Sequence, residues 1–142
     1  IQILNDKWNG KDRDLKVQLT NNALIDLIGR TAYTRLAHLT DGTHDTILLR
    51  RCAEHNNVIK FHTDESYKTL QVPLNNESEY EGGKLVYITT DRGNAATLHF
   101  PKRPAGSFTL HRNDIAHGVT RLVAGVRYGL FLLQKKEAKS ES

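Results

Sequence analysis

Several residue types are scarce in this chain of 142 residues, which has no methionine, one cysteine, one tryptophan and three prolines. The single Cys52 excludes a disulfide within the chain, which favours a reducing, cytoplasmic or otherwise intracellular compartment. No run approaches the roughly 18 apolar residues that span a bilayer, so we expect a soluble protein with no membrane partner. Because the chain starts at Ile1 without methionine or a signal-peptide pattern, we expect a piece or a processed product of a longer protein.

The charge balance is basic, with 20 lysines and arginines against 16 acidic residues, a net charge of +4 and a pI near 9.3. Basic residues occur in adjacent pairs, at Arg50-Arg51, Lys102-Arg103 and Lys135-Lys136. We interpret these pairs first as solvated surface, with an acidic substrate or a nucleic acid as the alternative. A basic helix, a zinc-finger spacing and an aromatic RNA-binding signature are all missing from the sequence, so we do not expect nucleic acid as a partner.

The length fits one domain, which the residue pattern divides into a helical and a β-rich part. Apolar residues recur at helical spacing after Asn21 and Asn22, both good N-caps, and predict an amphipathic helix that ends before Thr40. Gly29 inside it weakens that prediction. The preceding segment is polar and mixed, with Trp8 as its only large anchor, and we interpret it as an entry segment.

Beyond the helix the apolar residues fall into short β-rich runs separated by turn residues. The runs predict eight strands, at Thr46 to Cys52, Val58 to His62, Thr69 to Leu74, Lys84 to Thr89, Ala96 to Phe100, Gly106 to His111, Ala116 to Arg121 and Val126 to Leu133. The intervening turns include Asn56-Asn57 and Ala124-Gly125. This pattern predicts a mainly β protein, either a sandwich, a barrel or a jelly roll. We divide the chain into a polar segment with a supporting helix (1–45), a β core (46–134) and a polar tail (135–142).

One stretch, KFHTDESYKTLQVPLN from position 60, places an imidazole and a carboxylate one residue apart at the end of a predicted strand. From the residues alone, His62 and Asp64 are either two metal ligands or part of a polar turn between strands. As ligands they need a third, because two imidazoles and one carboxylate cover one face of an octahedral ferrous ion and leave three positions open.

Three further histidines are candidates for that third ligand. His117 lies on a strand that turns and returns through Arg127, whose planar guanidinium can hold a carboxylate bidentately near a metal. His99 and His111 have no such arginine downstream. We interpret them as a strand-edge residue and a packed residue.

Six short motifs occur in a fixed order along the β-rich part of the chain. They are FHTD (61–64), TLQVPLN (69–75), YEGGKL (80–85), AGS (105–107), HGV (117–119) and GVRY (125–128). In order and spacing, residues 46 to 134 resemble the double-stranded β-helix of the iron(II)- and 2-oxoglutarate-dependent dioxygenases, especially the prolyl and lysyl hydroxylase branch. The resemblance implies a cupin-like jelly roll, with the N-terminal helix packed on it.

The resemblance also implies a ligand set. His62, Asp64 and His117 bind Fe(II), and Arg127, ten residues after the distal histidine, pairs with the C5 carboxylate of the co-substrate 2-oxoglutarate. Ascorbate is an optional addition.

Thr69 and Gln71 share one face of their strand by alternation, and we expect them to contact the co-substrate or the surroundings of the iron. The alternative for Thr69 is β-propensity alone.

Some positions depart from the family pattern. Gly129 stands where relatives often have a serine or threonine that assists the co-substrate carboxylate. Arg51 and Cys52 stand where an aromatic residue commonly helps, and Pro73 stands where prolyl hydroxylases of the oxygen-sensing kind have a tyrosine. The co-substrate pocket therefore matches no one subfamily.

The activity implied is hydroxylation of an unactivated C–H bond, with release of succinate and carbon dioxide and no protein acid, base or nucleophile. We expect a protein or peptide side chain as substrate, contacted by the loops Thr40 to Asp45, Glu65 to Lys68 and Thr90 to Thr97. The alternatives are a small-metabolite substrate, a catalytically silent β-helix binding module of a larger protein, and a cupin-type metal enzyme that uses no 2-oxoglutarate.

Overall fold

The computed structural model of the chain describes residues 1–53 and 59–138. The predicted turn at Asn56-Asn57, the predicted strand start at Val58 and the end of the polar tail lie outside these residues. The helices are α1 (Gln2–Lys7), α2 (Asn21–Ile28) and α3 (Arg30–Leu39), with a short 3-10 helix at Glu77–Glu79. The strands are β1 (Asp14–Leu19), β2 (Thr46–Ala53), β3 (Ile59–His62), β4 (Lys68–Pro73), β5 (Tyr80–Gly82), β6 (Leu85–Thr90), β7 (Ala96–His99), β8 (Thr109–Arg112), β9 (Ala116–Val119) and β10 (Leu122–Gln134).

Two antiparallel sheets form the body of the protein. The larger has the strand order β1-β2-β10-β4-β8, with β5 also paired to β10, and the smaller has the order β3-β9-β6-β7. This architecture confirms the predicted mainly β jelly roll. None of the helices in the described part of the chain is long and apolar enough to cross a membrane.

The larger sheet has a helical layer on one face and an interior cavity on the other. Successive residues of its strands point alternately to these two faces. On the helical side, buried apolar residues of α1, α2, β2, β4 and β10 form the main core: Leu4, Leu24, Ile47, Leu49, Leu70, Val72, Leu130 and Leu132. Their neighbours along the strands, among them Leu48, Arg50, Thr69, Gln71 and Phe131, line the cavity on the other side.

The predicted single helix is two helices. Gly29 has φ 86° and ψ 158°, an extended left-handed conformation that ends α2 and starts α3. The N-cap is Thr20 and not Asn21 or Asn22, since the Thr20 Oγ1 accepts a hydrogen bond from the Ala23 N–H at 3.1 Å. Both corrections have a local cause, a threonine cap and a glycine that the helical periodicity does not reveal.

The segment before residue 20 is more ordered than its polar composition predicted. It contains α1 and β1, and β1 pairs along its whole length with β2. Its anchor is Leu4, fully buried in the core, whereas Trp8 is 37% exposed. A helix of six residues with a single buried side chain leaves no periodic signal, which is why the sequence did not predict it.

The predicted turn at Ala124-Gly125 is a bulge inside a continuous strand. β10 runs from Leu122 to Gln134, and its register with β5 shifts between Leu122 and Ala124. Gly125 has φ 85°, and a Cβ there would lie 2.6 Å from the Glu79 carbonyl oxygen. Glycine at this position therefore permits close packing of β10 against the 3-10 helix.

Candidate metal centre and its cavity

Three predicted ligands come together at one edge of the smaller sheet. His62, the last residue of β3, is the register partner of His117 on β9, and Asp64 follows two residues later. The Asp64 Oδ1 lies 3.3 Å from the Nε2 of His62 and 3.3 Å from the Nε2 of His117. All three potential ligand atoms lie within 4.8 Å of one another. The spacing of two nitrogens and one oxygen suits a single metal ion.

Both histidines are oriented by the backbone. The Nδ1 of His62 lies 2.7 Å from the Lys60 carbonyl oxygen, and the Nδ1 of His117 lies 3.1 Å from the Ile115 carbonyl oxygen. A carbonyl only accepts, so each Nδ1 carries the hydrogen and donates it. In the neutral imidazoles, the lone pair is therefore on Nε2, directed at the centre. Such a backbone contact is the usual means by which a metal-binding histidine is held in one tautomer and one orientation.

Asp64 is oriented through its other oxygen. Its Oδ2 accepts hydrogen bonds from the Thr69 hydroxyl at 2.7 Å and from the His111 Nε2–H at 2.8 Å. With two donors on Oδ2, the oxygen that remains for a cation is Oδ1. The geometry therefore favours monodentate binding of a metal by this carboxylate.

The electrostatics of the centre follow from these contacts. Burial raises the pKa of Asp64, but its contacts with His111, His117 and Thr69 outweigh that effect and hold the pKa well below its usual range. Burial lowers the pKa of His117, but its contacts with Asp64 and with the Ile115 carbonyl outweigh that effect and raise the pKa above its usual value. The centre is thus built around an ionised carboxylate that attracts a cation.

His111 is packed, as predicted, but its contact with Asp64 was not foreseen. It lies on β8 and is buried, and its Nδ1 accepts a hydrogen bond from the Tyr87 hydroxyl at 3.2 Å. A chain of hydrogen bonds therefore runs from Tyr87 through His111 to the ligand carboxylate. His111 is the cross-strand partner of Thr69, and both side chains donate to the same oxygen, but the sequence does not show this pairing.

His99 lies away from the centre, exposed on the edge strand β7 and 2.7 Å from the Thr89 hydroxyl. The prediction of a strand-edge residue is confirmed.

A cavity of about 440 Å³ lies between the two sheets, and the three candidate ligands line it. This volume is within the range of small-molecule sites. Arg127 lines the same cavity, is 9% exposed, and donates from Nη1 to the Gly83 carbonyl oxygen at 2.7 Å. Burial lowers the pKa of Arg127, although a guanidinium remains charged under ordinary conditions.

Thr69 and Gln71 both line this cavity, but they make different contacts. Thr69 binds Asp64, as described, whereas Gln71 accepts a hydrogen bond from the Arg103 Nη2 at 3.3 Å. Of the loops expected to contact substrate, the cavity is lined within the described residues only by Glu65 and Ser66. The loop from residue 40 to 45 instead contacts the larger sheet, through an ion pair of Asp41 with Lys68 at 3.0 Å and a hydrogen bond from the Asp45 N–H to the Leu133 carbonyl oxygen at 2.7 Å.

The basic pairs Arg50-Arg51 and Lys102-Arg103 contain buried or half-buried arginines, which corrects their interpretation as solvated surface, although Lys102 is exposed. Arg51 faces away from the cavity, with its guanidinium 3.8 Å from the centre of the Trp8 ring. Arg50 faces the cavity and binds Asp14 through two hydrogen bonds of 2.8 Å. Arg103 is buried. Alternation along β2 thus separates two adjacent arginines onto opposite faces of one sheet.

Comparison with known proteins gives structural relatives but no sequence relatives. No protein-family model and no curated protein matches the chain. An oxidoreductase of the 2OG-Fe(II) oxygenase family from Burkholderia pseudomallei aligns with a TM-score of 0.59 at 15% identity, over 88% of this chain and 67% of that one. A prolyl-4-hydroxylase from Pseudomonas putida aligns with a TM-score of 0.57 at 14% identity, over 87% and 73%.

A third structure is a prolyl hydroxylase from Trichoplax adhaerens in complex with a peptide fragment of the hypoxia inducible factor oxygen degradation domain. It aligns with a TM-score of 0.59 at 14% identity, over 84% of this chain and 61% of that one. The chain described here therefore spans less than two thirds of that protein. At these identities the likeness shows the fold alone, and the predicted fold of the 2OG-Fe(II) oxygenases and prolyl hydroxylases is confirmed.

Proposed function

We propose that this chain is an Fe(II)- and 2-oxoglutarate-dependent dioxygenase that hydroxylates an unactivated C–H bond. The observation that carries the proposal is the set of three ligand atoms, from His62, Asp64 and His117, on the wall of a cavity that also contains the buried Arg127. The shared fold with 2OG-Fe(II) oxygenases supports it.

The residues fit an iron centre. Two imidazole nitrogens and one carboxylate oxygen are the donors of a facial triad, which leaves positions open for co-substrate and dioxygen. Zinc enzymes also use two histidines and a carboxylate, so the donors alone do not distinguish the two metals. The buried guanidinium of Arg127 favours the iron assignment, because it provides a fixed positive charge for a second carboxylate within the same cavity.

When bound, Fe(II) and 2-oxoglutarate would supply the oxidative chemistry, in which decarboxylation to succinate and carbon dioxide accompanies hydroxylation of the substrate. The chain's own residues bind and orient. His62, Asp64 and His117 hold the metal, and Arg127 holds the distal carboxylate of the co-substrate. Leu48 and Phe131 provide part of the apolar lining of the cavity.

We infer a protein or peptide side chain as the substrate, in the manner of the prolyl and lysyl hydroxylases. One relative of the same fold is in complex with a peptide. A small metabolite is the alternative substrate, and ascorbate is expected to raise turnover without being required for metal binding.

The test begins with metal and co-substrate binding under anaerobic conditions. Purified protein loaded with Fe(II) should develop a weak visible charge-transfer band when 2-oxoglutarate is added, and should release succinate in air with a peptide library that gains one oxygen in mass. His62→Ala and His117→Ala should abolish metal binding. His38→Ala, which removes an exposed imidazole from α3, should leave metal binding unchanged and serves as the matched control.

The outcomes separate the alternatives. Failure of the intact protein to bind Fe(II) or Mn(II) contradicts the proposal. Metal binding without the 2-oxoglutarate band indicates a cupin-type enzyme of another chemistry. Binding of both without succinate release indicates a silent binding module.

A further inference from the structure

A cluster of three buried or half-buried arginines adjoins the co-substrate end of the cavity. Arg50, Arg103 and Arg127 line a small space of about 10 Å³, together with Gly129 and Phe131. That volume suits a single small group such as a water molecule or one end of a carboxylate. Arg50, Arg127 and Phe131 also line the main cavity, so the two spaces share one wall.

Arg103 is a member of this cluster whose hydrogen-bond donors are only partly used. It is 4% exposed, and its hydrogen bond to Gln71, at 3.3 Å, is a long one. Its Nε is buried and has no hydrogen-bond partner among the described residues. Burial and the nearby charge of Arg127 both lower the pKa of Arg103. Within the part of the chain that the structure describes, the buried Arg103 guanidinium therefore has one long hydrogen bond and no carboxylate partner.

The charges of the cluster are not balanced by the protein that surrounds it. Within the described ranges, Arg50 has a carboxylate partner in Asp14, but no carboxylate lies within ion-pair distance of Arg103 or Arg127. Two buried cations held close together repel each other, and each also loses hydration. An anion between them would offset both costs.

At Gly129 the wall of this small space has no side-chain hydrogen-bond donor for an anion. A hydroxyl at this position is the assistance that the family resemblance leads one to expect, and here there is no side chain. A Cβ added to Gly129 would lie 3.1 Å from the Phe131 ring, so the aromatic ring lies close against this part of β10. The hydrogen bonds that a serine or threonine would donate must come from another residue at this wall.

We propose that Arg103 is a second guanidinium for the distal carboxylate of the co-substrate, acting beside Arg127 in place of the missing hydroxyl. The inference rests on the proposed function. Gln71 positions the Arg103 side chain by accepting a hydrogen bond from it. The remaining N–H groups of Arg103 donate to the carboxylate. The pair of guanidiniums makes the site selective for 2-oxo acids that carry a distal carboxylate, because a ligand without one leaves both cations unpaired.

The experiment compares two ligands that differ only at the distal end. The dissociation constants of 2-oxoglutarate and of 2-oxopentanoate, in which a methyl group replaces the distal carboxylate, are measured by anaerobic titration of the Fe(II)-loaded protein. Arg103→Gln should weaken 2-oxoglutarate binding by about 10- to 100-fold, the size of one charge-assisted contact. Binding of 2-oxopentanoate should change less than about twofold. Lys102→Gln, at the exposed neighbouring position, is the matched control and should change neither constant.

The pattern of the two constants decides the outcome. Equal weakening of both ligands, or no change in either, overturns the role proposed for Arg103 while leaving the dioxygenase assignment intact. If the wild-type protein binds neither ligand, both proposals fail. Arg103→Lys keeps the charge but loses the planar fork, and should weaken 2-oxoglutarate selectively by a smaller factor. If thermal unfolding shows that Arg103→Gln does not fold, the two dissociation constants of Arg103→Lys test the role of Arg103 instead.

Discussion

Replacing His111 with phenylalanine should weaken metal binding although His111 is not itself a candidate ligand. The substitution keeps an aromatic ring in a buried position but removes the donor that holds the Asp64 Oδ2 at 2.8 Å. Thr69 then remains the only donor to that oxygen in the described structure. Loss of a hydrogen bond that orients a metal ligand typically costs 10- to 100-fold in affinity, or about 1.4 to 2.7 kcal/mol.

The same substitution also affects the protein without metal. The Tyr87 hydroxyl donates to His111 at 3.2 Å and would lose that acceptor. An unsatisfied polar group costs about 1 to 3 kcal/mol when fully buried, and Tyr87 is only partly buried, so we expect the lower end of this range. Thermal unfolding of the apoprotein measures this part, and calorimetric titration with Mn(II) or Co(II) measures the effect on the metal.

A spectroscopic readout distinguishes orientation from general damage. With Thr69 as the remaining donor to its second oxygen, Asp64 is held less firmly and can rotate to offer both oxygens, which changes the coordination number and the visible bands of bound Co(II). His111→Gln keeps an amide donor and should restore part of the affinity, whereas Thr69→Val removes the other donor. If the two sites act on one oxygen, the double variant should not be additive. Affinity within twofold of wild type and an unchanged Co(II) spectrum in His111→Phe would refute the argument.

Two further predictions concern packing and charge. Gly118→Ala should weaken metal binding while the protein still folds. A Cβ there would lie 2.8 Å from the Ile59 carbonyl oxygen and push β3, with His62, away from β9. Gly93→Ala, in a turn of the smaller sheet, is the control, and Mn(II) titration compares the two variants. Burial raises the pKa of Asp14, but its contacts with Arg50 outweigh this and lower it, so the pair stabilises the fold above the unfolded pKa near 3.9 and its contribution is lost as the pH falls. Denaturant titration should therefore show Asp14→Asn less stable at pH 7 by under about 1 kcal/mol, with the difference disappearing toward pH 3, and a difference that grew on acidification would contradict this sign.

The three candidate ligands could be predicted because their signal is local and ordered. His62 and Asp64 are one residue apart at a strand end, and His117 on β9 precedes Arg127 on the next strand, β10, by ten residues. Short-range spacing of this kind is visible in a sequence, whereas the contacts that support it are not. His111 reaches Asp64 because β8 pairs with β4 in one particular register, and the sequence does not specify that pairing.

The burial of three arginines also could not be predicted from the sequence. Adjacent basic residues are usually solvated, and the sequence gives no reason to bury Arg50, Arg51 or Arg103. Arg51 is buried because α1 brings Trp8 against it, and α1 itself leaves no periodic signal. Arg103 is buried because its loop closes over the end of β4, where the Gly106 N–H donates to the Pro73 carbonyl oxygen at 2.9 Å. Both depend on tertiary contacts between distant parts of the chain.

Asp64 explains why the centre as a whole could not be derived from any one segment. It lies in the connection between β3 of the smaller sheet and β4 of the larger one. One of its oxygens faces the histidines of the smaller sheet, and the other accepts from Thr69 and His111 of the larger sheet. The carboxylate therefore takes up its binding orientation only when the two sheets have packed together. Because the hydrogen bond from Tyr87 to His111 also joins the sheets, the orientation of the ligand depends on the same contacts that hold the two sheets together.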